Sequence, residues 1–280
     1  RNYNQAQFAD PTSSTANMKI GYVYVKGRAL QSAIPYFEEA INLNADYAPA
    51  YRELGQLYWR AGRLEQSKEN FKKYLDLTAG NIPAKIRYVN SLFYAGDYDE
   101  VIKNVEEILS VDNSRAYMNR LAGYSSFEKE NPDYEKALTY MDKLFATVNP
   151  EYILQKDYHY MARVLLKKNQ NYTKMVDEAG SLKTQLDREK SRLNVAPAAE
   201  KPKYKASVDE LTSKIAKLES EISAASKEID RGFAEYNKAI EFGRKDAGSS
   251  ANTSKERALL SEMAVNYYAY RQYDNAARTW

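Results

Sequence analysis

The sequence contains no cysteine and a single histidine in 280 residues. Disulfides, thiolate metal sites and histidine metal clusters are therefore excluded, and a Ser-His relay, which could draw only on His159, is not expected. Glycine (11) and proline (8) are scarce, too few for the many turns of a β-rich fold, while Ala, Leu, Glu, Lys and Gln are common and favour helix. No run of about 18 apolar residues is present, so no segment reads as a bilayer-spanning helix. Nor is there an excess of one charge. Forty-one basic and 38 acidic side chains give a net +3, dispersed along the chain, a balance that argues against nucleic acid as a partner. The chain opens at Arg1 without a methionine or a signal-like segment, so any targeting sequence is expected to lie outside it.

What is there is an apolar content of 44%, enough for a substantial core, arranged with a repeat of 34 residues. Ile20, Gly21, Tyr24, Ala33, Phe37 and Ala40 are followed at that spacing by Leu54, Gly55, Tyr58, Ser67, Phe71 and Tyr74. A third set comprises Val89, Leu92, Val101, Val105 and Ile108. The turns recur as Ala61-Gly62-Arg63-Leu64 and Ala95-Gly96-Asp97-Tyr98. Glycine stands there at a helix end, where a left-handed residue costs least.

This pattern resembles the tetratricopeptide repeat, in which bulky and small residues alternate so that two antiparallel helices pack closely. The resemblance implies an all-α, right-handed α-solenoid. The expected units are a second-helix end over 1–13, then repeats near 14–47, 48–81, 82–114 and 115–151, and a first helix over 152–171. Tyr3, Ala6 and Pro11 fit the end of a preceding unit, and Met263, Ala264, Tyr267, Ala276 and Trp280 the start of a last one, as if the chain were a window on a longer array. The fourth unit carries about three extra residues around Glu130-Asn131-Pro132, read as a longer turn.

In the fifth unit Met161, Ala162 and Leu165 match a first helix, but the matching second helix waits until Gly232, Tyr236 and Ala239. The insertion, over 172–231, carries a heptad seam: Tyr172, Met175, Ala179, Leu182, Leu186 and Leu193, then Tyr204, Val208, Leu211, Ile215, Leu218, Ile222, Ala225 and Ile229. Asn194-Val195-Ala196-Pro197 and Lys201-Pro202 break it in the middle. Leu186 with Leu211, Leu182 with Ile215 and Leu165 with Gly232 share one position total, 397, as facing residues of a single antiparallel hairpin must. A long antiparallel coiled-coil hairpin is thus expected as an outgrowth of the fifth repeat's own helices. Its first helix should run close to unbroken from about Ile153 to Asn194, its second from about Tyr204 to Arg244. The remaining repeat helices then occupy 232–280.

The resemblance implies a binding scaffold and no enzyme or cofactor. Its inner groove is lined from the first helices, which here gives Tyr22, Lys26, Arg52, Gln56, Trp59, Arg60, Arg87, Asn90 and Tyr94, with a protein segment as partner. Some relatives grip a C-terminal carboxylate with lysine and asparagine; Arg52, Arg87 and Arg120, with the neutral Gln56 among them, offer the positive charge here but not the asparagines. A glycan or small-ligand module using the tyrosines and Trp59 is the alternative. The hairpin tip carries Lys190, Arg192, Lys201, Lys203 and Lys205 and reads as a second docking arm or a spacer; its exposed heptads leave self-association open. His159 falls on the inner face of its repeat. Resemblance to Tyr-, Asn- and Lys-rich repeat proteins of bacterial cell envelopes, with the lack of cysteine, leans toward a bacterial periplasmic setting.

Overall fold

The computed structural model describes residue 10, residues 12–246 and residues 254–280, all helices and turns with no strand among them. The second-helix end expected at Tyr3, Ala6 and Pro11 lies outside the described residues. Two compact units divide at 133/134. The first holds α1 (Ser14–Lys26), α2 (Leu30–Leu43), α3 (Ala48–Arg60), α4 (Leu64–Leu77), α5 (Ile82–Ala95), α6 (Tyr98–Val111), a 3-10 turn (Asn113–Met118) and α7 (Asn119–Glu128). The second holds α8 (Tyr134–Thr147), α9 (Gln155–Lys168), α10 (Tyr172–Val195), α11 (Lys201–Asp246), α12 (Ser254–Ala269) and α13 (Tyr273–Thr279).

In the first unit each helix packs on the next, so α1/α2, α3/α4 and α5/α6 form antiparallel pairs stacked in order. Volume exchange sets the closeness of each pair. A methyl on Gly21 would penetrate the ring of Phe37, and one on Gly55 would lie 3.0 Å from the ring of Phe71. Where the glycine is replaced by Val89, the opposing residue is the smaller Val105, and both are fully buried. A large residue on one helix thus requires a small one on its partner.

In four repeats the chain reverses between paired helices through one left-handed residue. Gly62 (φ 72°) and Gly96 (φ 88°) supply it in the second and third repeats. Arg28 (φ 60°) and Arg271 (φ 61°) take the same conformation at the equivalent places of the first and last, against the preference of an L side chain. In the fifth repeat that place belongs to Asn169, whose φ is −98°. There the chain does not reverse. It kinks over residues 169–171 and continues as α10, while α11, 46 residues long, packs along both α9 and α10.

The expectation of a nearly unbroken helix from Ile153 is therefore corrected: α9 and α10 are separate helices. The break is stabilised because the carbonyls it frees are bonded. Asn169 donates its side-chain amide to Leu165 O at 2.8 Å, and the Tyr270 hydroxyl donates to Leu166 O. Glu228 on α11 braces the same corner by accepting from Lys168 (2.6 Å) and Asn169 (2.8 Å). Beyond it, the seam residues of α10 and α11 are all buried or half-buried, with Ala179, Leu186, Ile215, Ala225 and Ile229 the most enclosed.

Two details also differ from the sequence pattern. Tyr24, at a consensus core position, is partly exposed and stacks on Tyr36, centroids 5.2 Å apart. The second hairpin helix begins at Lys201, three residues before the expected Tyr204.

Gly21→Ala should destabilise the chain by about 1–3 kcal/mol in urea unfolding, and adding Phe37→Leu should recover part of that loss. Unchanged stability of the single variant would contradict the close-packing account. Arg28→Gly, relieving a left-handed side chain, should instead stabilise by about 0.5–1 kcal/mol.

Candidate functional site

α3 and α5 are both first helices of their pairs, so their side chains three and four residues apart face the same side of the first unit. Between them, floored by Phe71 of α4, lies an open cleft of about 300 Å³. Its walls are Gln56 and Trp59 from α3, and Arg87, Asn90, Ser91 and Tyr94 from α5. Five of the groove residues expected from the sequence thus line one cleft.

Trp59 and Tyr94 are 39% and 51% exposed, high for large aromatics. Their rings meet at 5.6 Å between centroids with a 58° angle, forming a notch rather than a flat platform. Arg87 is exposed and makes no ion pair among the described residues. Asn90 turns its amide onto Ile86 O at 2.7 Å, which leaves its carbonyl oxygen free to accept.

The other expected groove residues sit elsewhere. Arg52 donates from Nη2 to the Tyr22 hydroxyl at 2.7 Å and pairs with Glu53 at 2.8 Å; the Tyr22 hydroxyl donates to Glu53 Oε1 at 3.1 Å. Burial, with Glu53 beside it, raises the Tyr22 pKa. This network ties α1 to α3 and neutralises Arg52, so Arg52 adds no free charge to the groove. Lys26 and Arg60 are exposed in the last turns of α1 and α3 and do not line the cleft.

A second cleft of about 330 Å³ occurs in the second unit between α9 and α12, lined by Gln155, Lys156, His159, Lys255, Ala258, Leu259 and Glu262. His159 Nε2 lies 2.8 Å from Glu262 Oε2, the Tyr236 hydroxyl donates to Glu262 Oε1 at 2.8 Å, and Arg163 is 3.6 Å away. Burial opposes the charge on Glu262, yet these donors together hold its carboxyl below the usual range, while burial and the nearby carboxylate raise the Tyr236 hydroxyl. Sequence reasoning found His159 but not Glu262, which is about 100 residues distant and carries no signal of its own.

The tetratricopeptide repeat family model matches residues 14–47 and 48–81, the segments that build α1 to α4. The chain carries tetratricopeptide repeats. Among solved structures it is similar to YrrB, titled a TPR protein with an unusual peptide-binding site, at 13% identity and a TM-score of 0.50, covering 60% of this chain and 84% of that one. It is also similar to MamA from Desulfovibrio magneticus RS-1 (16%, TM-score 0.48, 74% and 96%). A further match is the C-terminal part of a TPR repeat-containing protein from Cytophaga hutchinsonii (17%, TM-score 0.46, 94% and 92%). The likeness to YrrB, at 13% identity, is one of fold. No curated protein sequence matches the chain. In tetratricopeptide terms the cleft lies between the first helices of the second and third repeats, and its composition differs from a lysine–asparagine clamp.

Glu262 ties its sign of pH dependence to the second unit. A depressed folded-state pKa contributes stability above the ordinary value of 4.5 and loses it as pH falls through the lower folded value. Glu262→Gln should therefore be less stable than the parent near neutral pH, and the gap should narrow in acid unfolding below pH 4.5. A gap constant with pH would count against a charged Glu262 as the brace.

Proposed function

We propose that the chain is a protein–protein interaction scaffold that receives an extended or helical partner segment in the α3/α5 cleft. The observation that carries the reading is the pairing of two exposed aromatics, Trp59 and Tyr94, with the uncompensated Arg87 in one concavity. Trp, Tyr and Arg dominate binding energy at interfaces because they bury large area around a directional charge. An apolar or aromatic side chain of the partner fills the notch, and a neighbouring acidic residue meets Arg87. The peptide-binding site named for YrrB supports the reading by analogy of fold.

The α10/α11 hairpin serves as a second docking arm or spacer. Binding rather than catalysis is the role that the tetratricopeptide repeats support. A glycan-stacking role draws on the same aromatics, but a sugar face needs a flat platform, and the 58° angle between the rings does not offer one.

Peptides selected by display on the full chain should be enriched in an aromatic or apolar residue beside Asp or Glu. Trp59→Ala and Arg87→Glu should each weaken the selected peptides at least about tenfold by fluorescence anisotropy, as expected of hot-spot residues. Lys73→Ala, on an exposed position of α4, should leave them unchanged. Selected peptides that bind both cleft variants as tightly as the parent would refute the cleft, and a tryptophan-emission response to oligosaccharides lost in Trp59→Ala would favour the glycan reading.

A further inference from the structure

The free end of the hairpin is charged in a way its own fold does not use. α10 closes at Val195, a turn over 196–200 is fastened by the Glu200 and Lys201 amides donating to Pro197 O (2.9 and 3.2 Å), and α11 opens at Lys201. Lys201, Lys203 and Lys205 occupy the first five positions of α11, where no acidic residue stands in the first turn. A helix N-terminus is the positive end of the backbone dipole and favours Asp or Glu, so three lysines there oppose helix stability. Lys190, Lys201 and Lys205 make no ion pair among the described residues, and Lys203 lies over the Tyr204 ring at 6.0 Å. Further down the same hairpin Lys183 pairs with Glu219 at 2.6 Å and Lys214 with Glu210 at 2.5 Å, while Lys174 and Lys227 stand singly without an ion pair among the described residues. At the tip, by contrast, the lysines without an ion pair form a cluster.

At the centre of these lysines the turn is mostly apolar and small: Val195 is 85% exposed, followed by Ala196, Pro197, Ala198 and Ala199, with Glu200 the one acidic residue that closes it. Tip residues line neither of the clefts described above. The free cations of the tip are mostly lysine, a flexible point charge suited to a diffuse anionic field, whereas Arg192 is engaged with Glu189 at 2.8 Å.

We infer that the hairpin tip docks onto an anionic lipid bilayer, its lysines at the level of the headgroups and the Val195 turn inserted between them. A fluid surface needs no shape complementarity, and juxtaposed lysines gain from its negative potential additively. The 24 residues of α10, at about 1.5 Å each, set the paired repeat helices of the second unit back roughly 35 Å from such a surface. The inference is independent of the groove reading, since none of the tip residues lines the α3/α5 cleft.

The test is flotation of the full chain with phosphatidylglycerol–phosphatidylcholine vesicles and with phosphatidylcholine vesicles alone. The parent should float only with the anionic vesicles and be released by salt, because the Debye length falls from about 10 Å at 0.1 M to about 3 Å at 1 M. Lys201→Glu, Lys203→Glu and Lys205→Glu combined should reduce binding at least about a hundredfold, at roughly fivefold or more per lysine. Val195→Asp should reduce it further still relative to the parent, with helix content by circular dichroism unchanged in both variants. Trp59→Ala should float as the parent does, which separates failure here from failure of the groove. Absence of flotation, equal flotation of the triple variant, or binding of a poly-glutamate peptide in preference to vesicles would overturn the inference, the last in favour of an acidic protein partner.

Discussion

The structure depends on how closely two paired helices approach. Where Gly21 and Gly55 face Phe37 and Phe71, the missing side chain on one helix is the space occupied by the ring on the other. Buried rings in such pockets have one rotamer and one depth, so the helix carrying the glycine is fixed in both distance and rotation. Fixing the rotation of each first helix determines what it turns outward. In α3 and α5 this brings Trp59 and Gln56 across from Arg87, Asn90 and Tyr94, and the ring of Phe71 that packs on Gly55 also floors the cleft. The cleft is therefore a consequence of the packing, and it can change its lining without changing the fold.

The hairpin follows from the same repeat with one conformation altered. The first, second, third and last repeats turn the chain back through a left-handed residue, and the fifth places Asn169 there with a negative φ. Without reversal the helix must continue outward, and the second helix has to return along its whole length. The kink at 169–171 would be unfavourable if its carbonyls were left unbonded in a buried corner; the Asn169 amide, the Tyr270 hydroxyl and the Glu228 brace provide partners. Arg271, next to Tyr270, reaches back to Asp177 on α10 with two bonds of 2.7 and 2.6 Å. The base of the arm is held by the last described repeat as well as by its own seam.

Much of this was legible in the sequence. A spacing that returns glycine at 21 and 55 and a constant register total through the insertion are properties of order along the chain, and they describe how elements pair. The kink was not legible, because Asn169-Gln170-Asn171 falls in a heptad pattern that continues on both sides, and the difference between a kink and a straight helix lies in a few backbone angles. Arg52 was expected to offer free charge, yet it is neutralised by its own neighbour Glu53 with Tyr22 of the preceding repeat, a contact between side chains 30 positions apart. Glu262 was missed for a similar reason: its partners His159, Arg163 and Tyr236 come from two other helices, and periodicity along α12 does not mark it. Patterns of apolar spacing report faces, while charge pairing is decided only when the faces meet.

The most direct test of the central claim is hydroxyl-radical footprinting of the full chain with and without a peptide obtained by selection. The account predicts that Trp59 and Tyr94 lose reactivity together on binding, while Tyr117 and Tyr152, also exposed but outside the cleft, keep theirs. Unchanged oxidation of Trp59 and Tyr94 at saturating peptide would contradict it.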